Sequence, residues 1–265
     1  MRTFVMGDIH GAFKAFQQCL TRSGFNRDTD FLIQLGDIVD GYPEVYEVVE
    51  ALLEIKHLVL IKGNHDQWFQ MFYQTDYHPA LWRYGGKATI LSYLKHAGKP
   101  VQILSAGDGF KTSLTKKDIP ASHKHLFDNQ QLYFRDAYNR FFTHGGFDRH
   151  LPLSLQKESA FFWDRELFNA ALEASQYQTK GIIPEGFYNN ADFTEIFIGH
   201  TSTTKWQTDQ PIQALNITNV DTGAGHHGRL TIMELPDGPP ILPGLSTSYR
   251  FWQSDPLTEL YTDNN

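Results

Sequence analysis

The chain of 265 residues has a single cysteine, Cys19, no long apolar run and no excess of positive charge. One thiol can form no intrachain disulfide and cannot supply a thiolate metal cage, which excludes disulfide scaffolds and zinc ribbons and suits a reducing compartment. Nowhere do about 18 apolar residues run uninterrupted, and the start shows no charged region followed by an apolar core of about 7–15 residues. The expectation is a cytoplasmic protein, neither exported by a standard signal nor membrane-spanning. Lys and Arg number 23 against 30 Asp and Glu, a formal net charge of -7, so the basic footprint of a nucleic-acid module is missing too. Repeats, heptads and low-complexity tracts are also absent. What remains suffices for a folded core, with 41% apolar, 14% aromatic and only 20% charged residues. The length permits one large domain or two small ones, and a single domain over residues 1–265 is the expectation.

Three times near the beginning, a short apolar strand runs into a polar, glycine-bearing loop and then a helix. Residues 2–6 lead to Gly7-Asp8-Ile9-His10-Gly11, after which Phe13, Phe16 and Leu20 recur at helical spacing. Residues 31–35 lead to Gly36-Asp37, followed by an apolar stripe of Val45, Val48, Val49, Leu52 and Leu53. Residues 57–61 lead to Gly63-Asn64-His65-Asp66. Such units predict an α/β fold, and open α/β sheets bind ligands beyond the carboxyl ends of their strands. Residues 67–139 read as an irregular, partly helical insertion over that edge. Strands at 140–143 and 195–198 then stop at His144-Gly145-Gly146 and Gly199-His200-Thr201, and one helix is expected over 160–175. Residues 215–220 and 229–235 read as two strands joined by Thr222-Gly223-Ala224-Gly225, and the tail after Pro236 as a Pro-rich loop.

The five strand ends carry Asp8 and His10, Asp37 and Asp40, Asn64 and His65, His144, and His200. Carboxylates, imidazoles and an amide without thiolate suit manganese, iron, zinc or a similar divalent metal. The count accommodates two ions. Asp8, His10 and Asp37 could hold one, and Asp37, Asn64, His144 and His200 the other, with Asp37 bridging. Ions about 3.5–4 Å apart can hold a shared hydroxide and two phosphoryl oxygens together. Each residue alone has an ordinary structural reading, Asn64 as a turn residue and His144 or His200 as a core histidine. Their joint placement after five strands, each cluster flanked by Gly, points to a site.

These ordered motifs resemble those of the calcineurin-like metallophosphoesterases, in particular the phosphoprotein phosphatase group, which includes bacterial serine/threonine phosphatases and symmetrical diadenosine tetraphosphatases. The likeness covers residues 1 to about 235. It implies an α/β fold of four layers, α/β/β/α, in which two mixed sheets are flanked by helices around a dinuclear metal centre. It also implies the same division of ligands between two metal ions, with manganese expected and iron or zinc as alternatives. His65 matches the family's general acid, and Asp40 the carboxylate that orients and charges it. A metal-bridging hydroxide would attack phosphorus in line, with no phosphoenzyme. Arg165, in Phe162-Trp163-Asp164-Arg165, is similar to a segment whose Arg binds phosphate. Two positions depart from the phosphoprotein phosphatase pattern: Gly41 stands where an Arg usually contacts phosphate, and Asp66 where Glu is usual.

The expected activity is hydrolysis of phosphate monoesters, of serine/threonine protein phosphatase type, on a phosphoprotein or small phosphate ester. The alternatives are hydrolysis of a symmetrical dinucleoside tetraphosphate or a phosphodiester and, last, a non-catalytic protein-binding scaffold; no membrane or stable nucleic-acid partner is expected. Lys62 is a weaker phosphate candidate, and the segment from Asp221 reads as structural support with His226 or His227 near the pocket. Lys111, Lys116, Lys117 and Lys124 read as solvated surface or a steering patch. Trp68, Phe69, Phe72, Tyr73, Trp82 and Tyr84 read as packing or a pocket wall, and Cys19 as buried and inert.

Overall fold

In the computed structural model of the chain, which describes residues 1–78, 80–107, 109–178, 193–238 and 249–262, the strand–loop–helix units fall where the apolar patterns put them. The first part forms β1 (Thr3–Met6), α1 (Phe13–Ser23), β2 (Phe31–Gln34), α2 (Val45–Leu53), β3 (His57–Leu60) and α3 (Asn64–Thr75). Then come α4 (Gly86–Ala97), a hairpin of β4 (Ile103–Ala106) and β5 (Gly109–Thr112), α5 (Ala121–Asp128), β6 (Tyr133–Arg135) and β7 (Arg140–Thr143). The remainder holds α6 (Glu158–Trp163), α7 (Glu166–Gln178), β8 (Glu195–Ile198), β9 (Ile212–Ala214), β10 (Ile217–Asn219), β11 (Thr231–Leu235), β12 (Arg250–Gln253) and α8 (Leu257–Leu260).

Two mixed five-stranded sheets result, ordered β12-β11-β1-β2-β3 and β6-β7-β8-β10-β9. Within the first, β1, β2 and β3 are parallel, with Val5 beside Ile33 and Ile33 beside Val59. Within the second, β7, β8 and β10 are parallel.

Alternation along the strands sorts side chains into layers. Phe4, Met6 and Leu32 pack under the helices with Phe16, Val48 and Phe69. Their neighbours Val5, Ile33 and Leu35 face the other way and meet Phe142 and Phe197 from the second sheet. Phe141, Ile196 and Ile198 face outward again, onto Phe168 and Ala171 of α7. The order helix, sheet, sheet, helix is the four-layer arrangement that the motif resemblance implies. Cys19 is fully buried on α1, its thiol 3.2 Å from the Leu230 carbonyl, and burial pushes that thiol up to about 12. Among the described residues no helix is long and apolar enough to cross a membrane.

Four local expectations change or sharpen. The segment over 67–139 is more regular than an irregular insertion: Trp68, Phe69, Phe72 and Tyr73 form a helical stripe on α3, and Tyr93 and Phe127 extend the same core from α4 and α5. The single helix expected over 160–175 is two, broken at Asp164, whose backbone is extended at φ -63 and ψ 139. Its carboxylate accepts from the Leu167 N–H, which caps the second helix and turns Arg165 out of the helical run. The strands read at 215–220 and 229–235 both form, as the shorter β10 and β11, and fall in different sheets, because β10 pairs with β8 and β11 with β1. The tail is not all loop: β12 adds an antiparallel edge strand to β11, and Leu257 of α8 is buried in the first core. The prolines at 239, 240 and 243 lie outside the described residues.

Truncating Phe142, which is fully buried and stacked on Phe197 at 5.1 Å between the sheets, tests this layering. Phe142→Ala is expected to lower unfolding free energy by about 3–5 kcal/mol in denaturant titration.

Candidate active site

Parallel strands within each sheet bring their terminal loops to one edge, and hydrogen bonds fix those loops to each other. Buried Gln34 donates to the carbonyls of Gly7 and Gly36, at 3.3 and 2.6 Å. The N–H groups of Ile9 and His10 both donate to the Asp37 carbonyl, at 3.0 and 2.9 Å, and Gly199 N–H donates to the His144 carbonyl at 2.8 Å. Four non-glycine residues in these loops, His10, Asp37, Asp40 and His200, hold left-handed backbone with φ of 50, 52, 71 and 66. Each such conformation costs on the order of 1–2 kcal/mol, and such costs collect where a site must aim side chains.

The six proposed ligands converge. His10 Nε2 lies 3.9 Å from Asp8 Oδ2 and 3.8 Å from Asp37 Oδ2. On the other side of Asp37, the same Oδ2 lies 3.3 Å from His144 Nε2, which is 3.2 Å from Asn64 Oδ1. The rings of His144 and His200 are 4.9 Å apart. Asp37 and Asp8 reach these places because Gly63 and Gly199 have no side chain: a Cβ on either would overlap the Oδ1 of Asp37 or Asp8 respectively.

Burial, with the carboxylates of Asp221 and Asp37, pushes Asp8 well above the ordinary carboxylate range. Burial also opposes charge on Asp37, but His144, His65 and His10 outweigh it and hold that carboxylate well below the usual range. His10 and His200 are driven by burial to about 3 and about 2, so their imidazoles are neutral lone-pair donors. His200 Nε2 is buried with no hydrogen-bond partner. Among the described residues, ligand atoms of Asp37, His144 and His200 lie within 4.8 Å of one another, and those of His10, Asp37 and His65 do likewise. Neutral imidazoles, an unpartnered ring nitrogen and crowded buried carboxylates are a donor set that fits divalent cations.

His65 belongs to that second group by distance but is committed elsewhere. Its Nδ1 lies 2.7 Å from Asp40 Oδ2, and its backbone N–H donates to Asp37 Oδ1 at 2.9 Å. Burial disfavours the charged ring, yet Asp37 and Asp40 outweigh it and raise His65 to about 9. The other oxygen of Asp40 accepts from Trp82 Nε1 at 3.0 Å and Thr89 Oγ1 at 2.5 Å. Neither Trp82 nor Thr89 could be assigned this role from sequence, since no motif marks them.

Comparison with known proteins gives the family. The family model described as calcineurin-like phosphoesterase matches residues 1–228. The chain belongs to that family. A protein named "Bis(5'-nucleosyl)-tetraphosphatase, symmetrical" from Buchnera aphidicola is 40% identical over 67 residues, 25% of this chain and 24% of that protein. The Pseudomonas putida protein of the same name is 39% identical over 67 residues, 25% and 23% of the two chains. The matches thus span about a quarter of these curated relatives. A solved structure described as a candidate diadenosine tetraphosphatase superposes with a TM-score of 0.59 at 17% identity, over 96% of this chain and 93% of that one. A protein serine/threonine phosphatase from Saccharomyces cerevisiae gives 0.51 at 13% identity, over 96% and 80%. At such identities these likenesses are of fold.

In this member of the calcineurin-like phosphoesterases, a cavity of about 280 Å³ lies over the cluster, with His10, Asp37, Asn64, His65 and His200 in its wall. Arg165 joins them, its Nη1 donating to the His200 carbonyl at 3.2 Å and to Thr201 Oγ1 at 2.7 Å. Asp221 and His226 line it too. Asp221 is buried near Asp8, and its position at the end of a strand before Thr222-Gly223 was the available signal for a place at the centre itself. Of the aromatic residues singled out, Tyr84 lines the cavity, whereas Trp68, Phe69, Phe72, Tyr73 and Trp82 are core. Lys62 turns away to Gln70 Oε1 at 2.7 Å, and none of Lys111, Lys116, Lys117 and Lys124 lines the cavity. Asp66 is a strut: its Oδ1 accepts from the Ile38 and Val39 N–H groups at 2.9 and 3.3 Å, and its Oδ2 from Gly63 N–H at 3.2 Å.

Gly41 lines the same cavity with φ +81, and a Cβ there would lie 3.0 Å from His10 Cβ. Its backbone therefore does not accept the Arg of phosphoprotein phosphatases without strain. Gly41→Arg is expected to reduce stability by about 1–2 kcal/mol in denaturant titration. It should not lower KM for a phosphopeptide.

Proposed function

We propose that the chain is a metal-dependent phosphoric ester hydrolase whose general acid is His65. The observation that carries this reading is the 2.7 Å contact between His65 Nδ1 and the fully buried Asp40 carboxylate, at the wall of the cavity that holds the ligand cluster. Asp8, His10 and Asp37 would hold one divalent ion, and Asp37, Asn64, His144 and His200 a second; manganese is the expected metal, with iron or zinc as alternatives. Bound there, the ions would neutralise phosphoryl charge and lower the pKa of water to make a nucleophile.

The side chains have separable tasks. Asp40 keeps the His65 ring protonated and oriented, and Trp82 and Thr89 prevent Asp40 from turning away. Nε2 of His65 is then free to give its proton to the oxygen that leaves phosphorus, so an alkoxide or phosphate departs neutralised. Arg165, steadied by the His200 carbonyl and Thr201, would hold phosphoryl oxygens.

Of the two substrate readings, a dinucleoside polyphosphate is preferred to a phosphoprotein. The support for this preference is that the curated relatives quoted above carry the name of a symmetrical tetraphosphatase. Turnover of diadenosine tetraphosphate, a phosphopeptide and an aryl phosphodiester, compared with manganese present, tests the choice; faster turnover of the phosphopeptide would reverse it.

His65→Asn is expected to lower kcat on an alkyl phosphate by roughly 100–10,000-fold while the protein retains its metal. An activated aryl phosphate, whose leaving group needs little proton help, should lose much less. Equal losses on both substrates would remove His65 from the acid role.

A further inference from the structure

The cavity over the ligand cluster continues in two directions that differ in chemistry. Past His200 it opens into a hollow of about 310 Å³, bounded by Thr201, Ser202, Thr204 and Lys205 and sharing Arg165, His200 and His226 with the central cavity. Every side chain around this hollow carries a hydroxyl, an imidazole, a guanidinium or an ammonium group. In the other direction, past Gly41 and Gly85, lies a groove of about 730 Å³ whose wall includes Tyr42, Leu91, Leu257 and Tyr261. The rings of Tyr42 and Tyr261 are 4.5 Å apart in that wall.

The polar hollow is built for negative charge. Lys205 sits at the exposed end of the short turn Thr203–Trp206, its Nζ 5.4 Å from the centre of the Trp206 ring. Among the described residues no carboxylate pairs with Lys205 or Arg165, although the chain as a whole is acidic. Arg165 spends only Nη1 on the protein, on the His200 carbonyl and Thr201 Oγ1, so the rest of its guanidinium faces the hollow and the centre. Thr201 Oγ1, already accepting from Arg165, has its own hydrogen to donate, and Ser202 Oγ and Thr204 Oγ1 stand 2.8 Å apart as a hydroxyl pair. Two cations and three hydroxyls around one hollow have the donors that phosphate oxygens require.

We infer that Lys205, with Thr201, Ser202 and Thr204, forms a subsite for a second phosphate group, joined by an anhydride to the phosphate at the ligand cluster, so that the substrate is an organic polyphosphate. The assignment rests on reading the central cavity as the hydrolytic site. Arg165 stands between the two phosphates. The bond that breaks joins the attacked phosphorus to the oxygen on the side of His65 and Tyr84: for diadenosine tetraphosphate the leaving ADP takes the His65 proton and extends towards the groove walled by Tyr42 and Tyr261, and the other ADP, its new oxygen supplied by water, holds its second phosphate at Lys205. A phosphoserine side chain has no second phosphate and leaves Lys205 without a partner.

The test uses the full chain with manganese, as wild type, Lys205→Ala and Lys205→Arg, on diadenosine tetraphosphate and p-nitrophenyl phosphate. The ratio of kcat/KM for the tetraphosphate to that for the monoester is expected to fall about tenfold in Lys205→Ala, chiefly through KM, and to recover in Lys205→Arg. Calorimetry with inorganic tripolyphosphate is expected to show a parallel rise of about tenfold in Kd for Lys205→Ala, against little change for orthophosphate. An unaltered ratio with unaltered tripolyphosphate binding would overturn the subsite while leaving the hydrolase reading intact. A wild-type protein that cleaves neither compound would overturn both.

Discussion

The carboxylate of Asp37 is buried between imidazoles on two sides, 3.8 Å from His10 and 3.3 Å from His144, and much of the surrounding chain is arranged to keep it there. A buried carboxylate is costly unless hydrogen bonds and opposite charge compensate. The compensation comes from several segments: the His65 N–H at 2.9 Å and the rings of His144, His65 and His10. Its left-handed backbone and the bare Cα of Gly63 follow from the same need, since any side chain at residue 63 would occupy the place of the carboxylate. Both sheets contribute, so the packing of Phe142 and Phe197 against Val5 and Ile33 is what holds the two halves of the cluster in register.

The overall charge of -7 describes this region poorly. Asp8, Asp37, Asp40, Asp66 and Asp221 are all buried within or beside one small volume, and burial, to which the neighbouring carboxylates add, displaces Asp8, Asp66 and Asp221 upward. Two divalent ions would bring about four positive charges to the same volume and convert it to a phosphate-attracting centre. Asp40 stays outside that exchange because Trp82 and Thr89 satisfy one oxygen and His65 the other. In the proposed reading, one set of carboxylates would bind metal while a neighbouring one would serve proton transfer.

The residues proposed as ligands were legible in the sequence for a local reason. Each lies within a few residues of a strand end and beside a glycine, and parallel strands deliver such ends to one edge whatever the rest of the chain does. Residues that act across the fold left no such trace. Thr89 sits on α4 and Trp82 in the turn before it, and only tertiary packing brings them to Asp40. The break at Asp164 was hidden because the residues around it continue a helical apolar pattern, and the break depends on one carboxylate that caps the next helix. The placement of β10 and β11 in different sheets was hidden because the order of strands along the chain does not name their pairing partners. Asp221, at the start of the glycine-rich turn after β10, was misplaced for the same reason and lies in the cavity wall.

The central claim is that Asp37 serves two ions at once. Metal stoichiometry and affinity, measured by titration calorimetry with manganese on the wild type and Asp37→Asn, test it most directly. The account predicts two ions per chain in the wild type, and loss of tight binding at both positions in the variant. Two ions bound by the wild type with only one weakened in Asp37→Asn, or a single ion in the wild type, would contradict it.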